Sequence, residues 1–206
     1  MRQGRHPLPF YVTTERAFMP LTSQGFIEVA MTNAANREIL SRLPALKLKE
    51  CFLTAGCPFQ AVWNQRSGRD AGWGVRDYDV FYFDDRDTSW EAEDVVIRQA
   101  QALFADLGVD VEVKNQARVH LWYERRFGQP YPRLTSARDG IDRYLISCTC
   151  IGIEASTGRL YAPYGFQDLH DGLLRMNPSF SQPVLYRRKA RDYQARWPWL
   201  SVVDRA

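Results

Sequence analysis

From Val109 to Leu121 the chain alternates without a break. Odd positions carry Val109, Val111, Val113, Asn115, Ala117, Val119 and Leu121, and even positions carry Asp110, Glu112, Lys114, Gln116, Arg118 and His120. A period of two reads as a half-buried strand with one apolar and one polar face. The polar set is varied, with acids, cations, an amide and an imidazole in a row, where a merely solvated face tends to repeat a few residue types. A second run, RDYDVFYFDD, reads as a buried strand with Asp77 and Asp79 at its mouth, and KECFLTA (49–55) reads as the first core strand, ended by Gly56. Between RDYDVFYFDD and Val109 the period changes to that of a helix. Ala92, Val95, Val96, Ala100, Leu103, Phe104 and Leu107 mark one face, Thr88-Ser89-Trp90-Glu91 reads as a capping box and Gly108 supplies the stop.

Shorter elements fill the rest. NAANREILSRL forms a helix opened by Thr32 and closed by Pro44, and FQAVWNQRSG forms one with Cys57 as N-cap, Pro58 at the first helical position and an end near Gly68. Ser136 caps a short helix running toward Leu145. ISCTCIGIEA (146–155) and RLYAPYG (159–165) form a hairpin turned at Ser156-Thr157-Gly158. Gln167 to Leu174 is a short helix, and residues 182–197 are a basic amphipathic one. Residues 1–22, with three prolines, form an N-terminal arm, leaving residues 23–206 as one domain with a helical C-terminal extension from about 166. Strands alternating with helices and followed by a hairpin give an α/β (α+β) fold with a mixed sheet flanked by helices.

Composition adds limits. The chain has 206 residues, 45% of them hydrophobic, which supports one sizeable core. Twenty-seven basic and 24 acidic residues leave a net charge of +3, too even to argue for nucleic acid or a membrane surface. The cluster Arg187-Arg188-Lys189 with Arg191 reads as a solvated helix face, with a phosphate-facing patch as the alternative. Cys148 and Cys150, two apart in an apolar run, fall on one face of a strand as small buried hydrophobes, and no cysteine pair has zinc spacing. No run reaches the length of a membrane span, and MRQGRHPLPFYVTTERAF lacks the apolar stretch of a signal peptide. A reduced cytoplasmic protein is expected.

The acids carry the candidate chemistry. On a strand, Asp77 and Asp79 share a face at about 6–7 Å spacing, and two such carboxylates can hold hard cations such as Mg²⁺ or Mn²⁺. Glu112, on the polar face of the 109–121 strand, supplies a third carboxylate if the two strands are neighbours, completing a site for displacement at phosphorus. A strand that turns at Gly56 into a helix at Cys57 offers backbone donors to phosphate. Lys114, Gln116 and Arg118 are candidate contacts to triphosphate or base, and the guanidinium of Arg118 suits phosphate best. Asn115 has the opposite parity and a structural hydrogen bond to a loop is expected. Trp63 reads as core packing.

The segments AGCPFQAVWNQ, RDYDVFYFDD, VEVKNQARVH, APYGFQDL and RWPWL, in that order over roughly residues 33–203, resemble a bacterial nucleotidyltransferase-like family of the DNA polymerase β-type nucleotidyltransferase superfamily. The acidic strand and KNQARVH are the specific parts. The resemblance implies Mg²⁺-dependent transfer of a nucleotidyl group from an NTP to an acceptor hydroxyl. Asp77 and Asp79 match the metal-binding acids, Glu112 takes by position the role of the third acid, and Gly56 and Cys57 match the turn that holds triphosphate. This chain departs from the pattern where Cys57 replaces a serine, Pro58 removes an N–H, Phe59-Gln60 replaces Arg-Asn and Asn64 stands where an Asp is common. The alternative reading is a module that keeps the fold and has lost turnover. The acceptor is not written in the sequence, and nucleic acid is a possible partner that the charge does not support.

Overall fold

The computed structural model describes residues 20–203, so nearly all of the expected arm lies outside the described residues. Helix α1 (Ser23–Ala30), which sequence periodicity does not announce, begins at Thr22, whose hydroxyl accepts from Gly25 N–H. Its two buried residues, Phe26 and Ala30, face the core. Eight residues with only two inward positions are too short for a helical period to stand out. Helix α2 (Ala34–Arg42) is capped by Asn33, one residue later than expected, and passes into a 3₁₀ turn at Leu43–Leu46 that contains Pro44.

Strand β1 (Phe52–Thr54) is the centre of the sheet and is wholly buried. It runs straight into helix α3 (Gly56–Arg66). Strand β2 (Tyr78–Tyr82) pairs antiparallel with β1, and helix α4 (Trp90–Phe104) then carries the chain over to strand β3 (Val111–Asn115), which pairs parallel with β2. Such a parallel pair requires a crossover of this length. The cap of α4 is Ser89, accepting from Ala92 N–H, one residue beyond the expected capping box.

The predicted strand 109–121 is corrected. It ends at Asn115, where the side-chain oxygen accepts from Ala117 N–H and Asp84 N–H while the amide donates to Asp84 O. That side chain starts a 3₁₀ turn, Gln116–Arg118, and then helix α5 (Val119–Phe127). The expected structural role of Asn115 is therefore what stops the alternation. Apolar residues at 117, 119 and 121 fit a turn and a helix as well as a strand.

After helix α6 (Ala137–Ile141), capped by Ser136 as expected, the ISCTC segment forms a 3₁₀ turn (Ser147–Thr149) rather than a strand. Hydrogen bonds from Thr149 back to Ile146 close it. Cys148 and Cys150 are buried but enter two different core clusters instead of one strand face. Strands β4 (Gly152–Glu154) and β5 (Leu160–Tyr161) make the expected hairpin and complete a five-stranded mixed sheet of order β3-β2-β1-β4-β5. Helix α7 (Gln167–Asp171) is shorter than predicted, because Gly172 adopts a positive φ and Leu173–Arg175 becomes strand β6. Helix α8 (Pro183–Arg196) follows, and strand β7 (Ser201–Val203) pairs parallel with β6.

Alternation along the strands sorts the interior. Leu53, Tyr78, Val80, Tyr82 and Val113 pack beneath α2 and α4, while Phe52 and Phe81 point to the opposite face against Ala137 and Ile141. A third cluster joins α1, α3 and α8. Trp63 is fully buried there, as expected of a packing residue, edge-on to Phe59 and Tyr193, with its indole N–H on Leu169 O. The segment after residue 166 is thus built into the main core.

Candidate active site

The parallel register places Asp79 beside Glu112 and Phe81 beside Lys114. By the parity of both strands all four side chains leave the sheet on the face opposite Val80 and Val113. Asp77 precedes β2, half-buried, at the same mouth. Asp77, Asp79 and Lys114 line a cleft of about 720 Å³ together with Gly56 and Gln60 at the start of α3 and one face of α8.

Lys114 is the hub of this floor. Its ammonium contacts Asp79 Oδ1 at 2.9 Å and also pairs with Glu112 Oε2. Burial opposes its charge, but Asp79 and Glu112 overcome that and hold its pKa above the ordinary lysine value. Asp79, with 13% of its side chain exposed, is pushed the other way. Burial raises its carboxyl above the usual range by more than Lys114 returns, with Asp77 and Glu112 adding like charge.

The start of α3 is formed by a strained turn. Ala55, the N-cap, has φ +58° and ψ −136°, a region that residues with a Cβ rarely occupy. Gly56, Cys57 and Pro58 are therefore the first three helical residues, and the helix starts two residues earlier than the Cys57 cap read from the sequence. Pro58 has no N–H, so Gly56 and Cys57 supply the first-turn N–H groups that lack a partner within the helix. The Cys57 thiol does not face the cleft. It is buried and donates to Thr54 O at 3.3 Å, and burial, with Asp79 nearby, raises its pKa far above that of a free thiol. Gln60 lies over Gly56, where any Cβ would collide with its amide. Gln60 is only 5% exposed and its Oε1 has no hydrogen-bond partner.

The sequence profile of the family described as nucleotidyltransferase matches residues 41–202. The chain belongs to the nucleotidyltransferase family. A structure solved by NMR and described as revealing a CCA-adding enzyme head domain has the same fold, with a TM-score of 0.73, 24% sequence identity, and coverage of 92% of this chain and 100% of that one. No curated protein matches the sequence.

Within this fold the remaining predicted site residues part company. Gln116 is buried in the cleft wall, donating to Lys114 O at 3.3 Å, and it passes over Gly140, where a side chain would collide with it. Arg118 leaves the cleft altogether. It is 8% exposed, pairs with the buried Glu93 of α4 and donates through Nε to Thr88 O at 2.8 Å. His120, in the first turn of α5, lines neither cavity. Glu112 opens on a second cavity of about 850 Å³, shared with Lys114, Arg118 and Trp90.

Sequence reading missed the far wall. Arg188, Lys189, Asp192 and Arg196 line the cleft from α8 at helical spacing, beside the buried stripe Tyr186, Ala190, Tyr193. Reading that stripe first would have turned Arg188 and Lys189 toward it. Aromatic residues close one end, with Tyr123 and Tyr131 ring centroids 4.2 Å apart.

The nucleotidyltransferase family is generally dependent on a divalent metal. The donors at Asp77 and Asp79 are all oxygen, as Mg²⁺ and Mn²⁺ prefer, and Asp79 is a buried acid with more desolvation than its one ammonium offsets. Those two residues suit such an ion. Glu112 is bound up with Lys114, and among the described residues no three acids, histidines or cysteines are gathered as a metal group.

Proposed function

We propose that this protein is a metal-dependent nucleotidyltransferase that transfers a nucleotidyl group from an NTP to an acceptor hydroxyl. The observation that supports it best is the cleft that Asp77, Asp79 and Lys114 line together with the start of α3, on a chain of this family. Mg²⁺ or Mn²⁺, held by Asp77 and Asp79, would neutralise phosphate charge and polarise the α-phosphorus when bound. The chain's own residues do the rest. Gly56 and Cys57 N–H groups direct positive dipole ends at the phosphates, Lys114 adds charge beside them, and Gln116 fixes the Lys114 backbone. The acceptor oxygen attacks the α-phosphorus, the bond to the β-phosphate oxygen breaks, and pyrophosphate leaves with the electron pair. Glu112, once Lys114 turns toward phosphate, takes the acceptor proton and completes the acidic site.

Incubation with each NTP, Mg²⁺ and a panel of hydroxyl acceptors, read as pyrophosphate release matched by a nucleotide mass gained on one acceptor, tests this. Loss of both signals in Asp77→Ala is expected, and a folded Asp77→Ala protein with full activity would refute the assignment.

A second reading, a nucleotide-binding module without turnover, is favoured by Pro58, by the inward Cys57 thiol and by the ion pair that occupies Glu112. It predicts NTP binding with no pyrophosphate released under any acceptor. In either case four free cysteines inside the described fold suit a reducing cytoplasm. No helix among the described residues is long and apolar enough to cross a membrane.

A further inference from the structure

The phosphate end of this cleft is short of donors where the sequence leads one to look. The first turn of α3 has lost one N–H to Pro58, and the Cys57 side chain is turned into the core. Lys114 is shared with two carboxylates and offers phosphate a single charge at most. A triphosphate carries about four negative charges, and even with a metal ion it needs cations that are not already spent.

The α8 wall supplies them. Of the cations there, Arg196 is committed to Asp192 at 2.8 Å and to Gly74 O at 3.0 Å, and Arg76 reaches the same Asp192 at 3.6 Å. Arg188 and Lys189 are different. Among the described residues neither has an ion-pair partner at contact distance, and both line the cleft. Lys189 lies 5.0 Å from the centre of the Tyr193 ring. It is close enough to Asp77 and Asp79 to feel both charges across the cleft. The same cleft is lined by Gln60, nineteen-twentieths buried, whose side-chain oxygen has no hydrogen-bond partner among the described residues. Because nothing holds that oxygen, the amide can turn to present its NH₂ group, the end that phosphate oxygens can accept from. A buried polar atom without a partner calls for an explanation, and on a cleft wall a bound ligand supplies one.

We propose that the β- and γ-phosphates of the NTP are gripped between Arg188 and Lys189 of α8 and the Gln60 amide of α3, a side-chain clamp that replaces the backbone turn this chain has weakened. The clamp deepens the nucleotidyltransferase reading and rests on it for the identity of the ligand. It makes the C-terminal helix part of the nucleotide site and explains how Pro58 is tolerated. Gly56 is needed because Gln60 must lie over it.

Calorimetric titration with an NTP, its monophosphate and inorganic tripolyphosphate, each with Mg²⁺, separates the clamp from the metal site. The wild-type protein should bind NTP at least about tenfold more tightly than the monophosphate, and Arg188→Ala/Lys189→Ala should lose about that factor for NTP and tripolyphosphate while leaving the monophosphate nearly unchanged. Gln60→Glu, which sets a like charge against phosphate, should weaken NTP similarly. Arg191→Ala, on the exposed side of α8, should have no effect. Circular dichroism confirms that each variant is folded. If the double variant binds NTP like wild type while Asp77→Ala does not, the clamp is wrong and the metal site stands. If tripolyphosphate binds and is lost in the double variant, yet no NTP turns over, the clamp stands without the reaction. A wild-type protein that binds neither NTP nor tripolyphosphate removes both.

Discussion

Asp79 is the residue on which the site turns, and its protonation has a definite sign. Its folded pKa lies above the ordinary value of 3.8, because burial outweighs the help of Lys114. A raised acid favours the folded state at low pH and loses that contribution as pH rises through the folded pKa. At neutral pH the ionised Asp79 therefore works against folding until a further cation arrives. Asp79→Asn should raise the Tm of the metal-free protein at pH 7 and abolish any rise in Tm on adding Mg²⁺. A lowered Tm in metal-free buffer would show that Lys114 alone satisfies the carboxylate. The shared sheet face of Asp79 and Glu112 was legible in the sequence because alternation fixes it. The tie of Glu112 to Lys114 was not, since charge pairing along one strand face depends on rotamers that no spacing reveals.

At the scale of elements, the instructive case is the segment after Val109. Its period-two pattern is right for Val111–Asn115 and then misleads, because Asn115 caps a turn with the same side chain that holds Asp84. A capping asparagine in a strand-like run was the available signal. Its consequence is that Arg118 stands on a turn and fastens β3 to α4 through Glu93, well away from the cleft. Arg118→Ala should cost on the order of 3–5 kcal/mol of stability by leaving the Glu93 carboxylate buried and unpaired, measured by urea denaturation. The folded fraction should keep its NTP affinity, and a variant that is stable but fails to bind would return Arg118 to the nucleotide site.

At the scale of the molecule, a mixed sheet with helical cover follows from patterns that the sequence displays openly, while the strand order around β1 is set by the structure. Nor does the closure of the C-terminal segment onto α3 follow from those patterns, because it depends on contacts more than a hundred residues apart. Asn64 makes that closure. Its amide donates to Ala71 O and Trp73 O, and its oxygen accepts from the Trp197 indole N–H at 2.9 Å. An Asp of the same shape would keep the acceptor and lose both donations. Asn64→Asp should cost on the order of 3 kcal/mol and loosen α8, the far wall of the cleft. Chemical denaturation with Trp fluorescence checks it, and an unchanged midpoint would show that the closure rests on ring packing alone.

The central claim is that Asp77 and Asp79 hold a metal that binds NTP in this cleft. The most direct measurement is titration of the four NTPs into the protein with and without Mg²⁺, using Asp77→Ala/Asp79→Ala as the comparison. The account predicts Mg²⁺-dependent binding of at least one NTP that disappears in the folded double variant. Equal binding by both proteins, or binding indifferent to Mg²⁺, would contradict it.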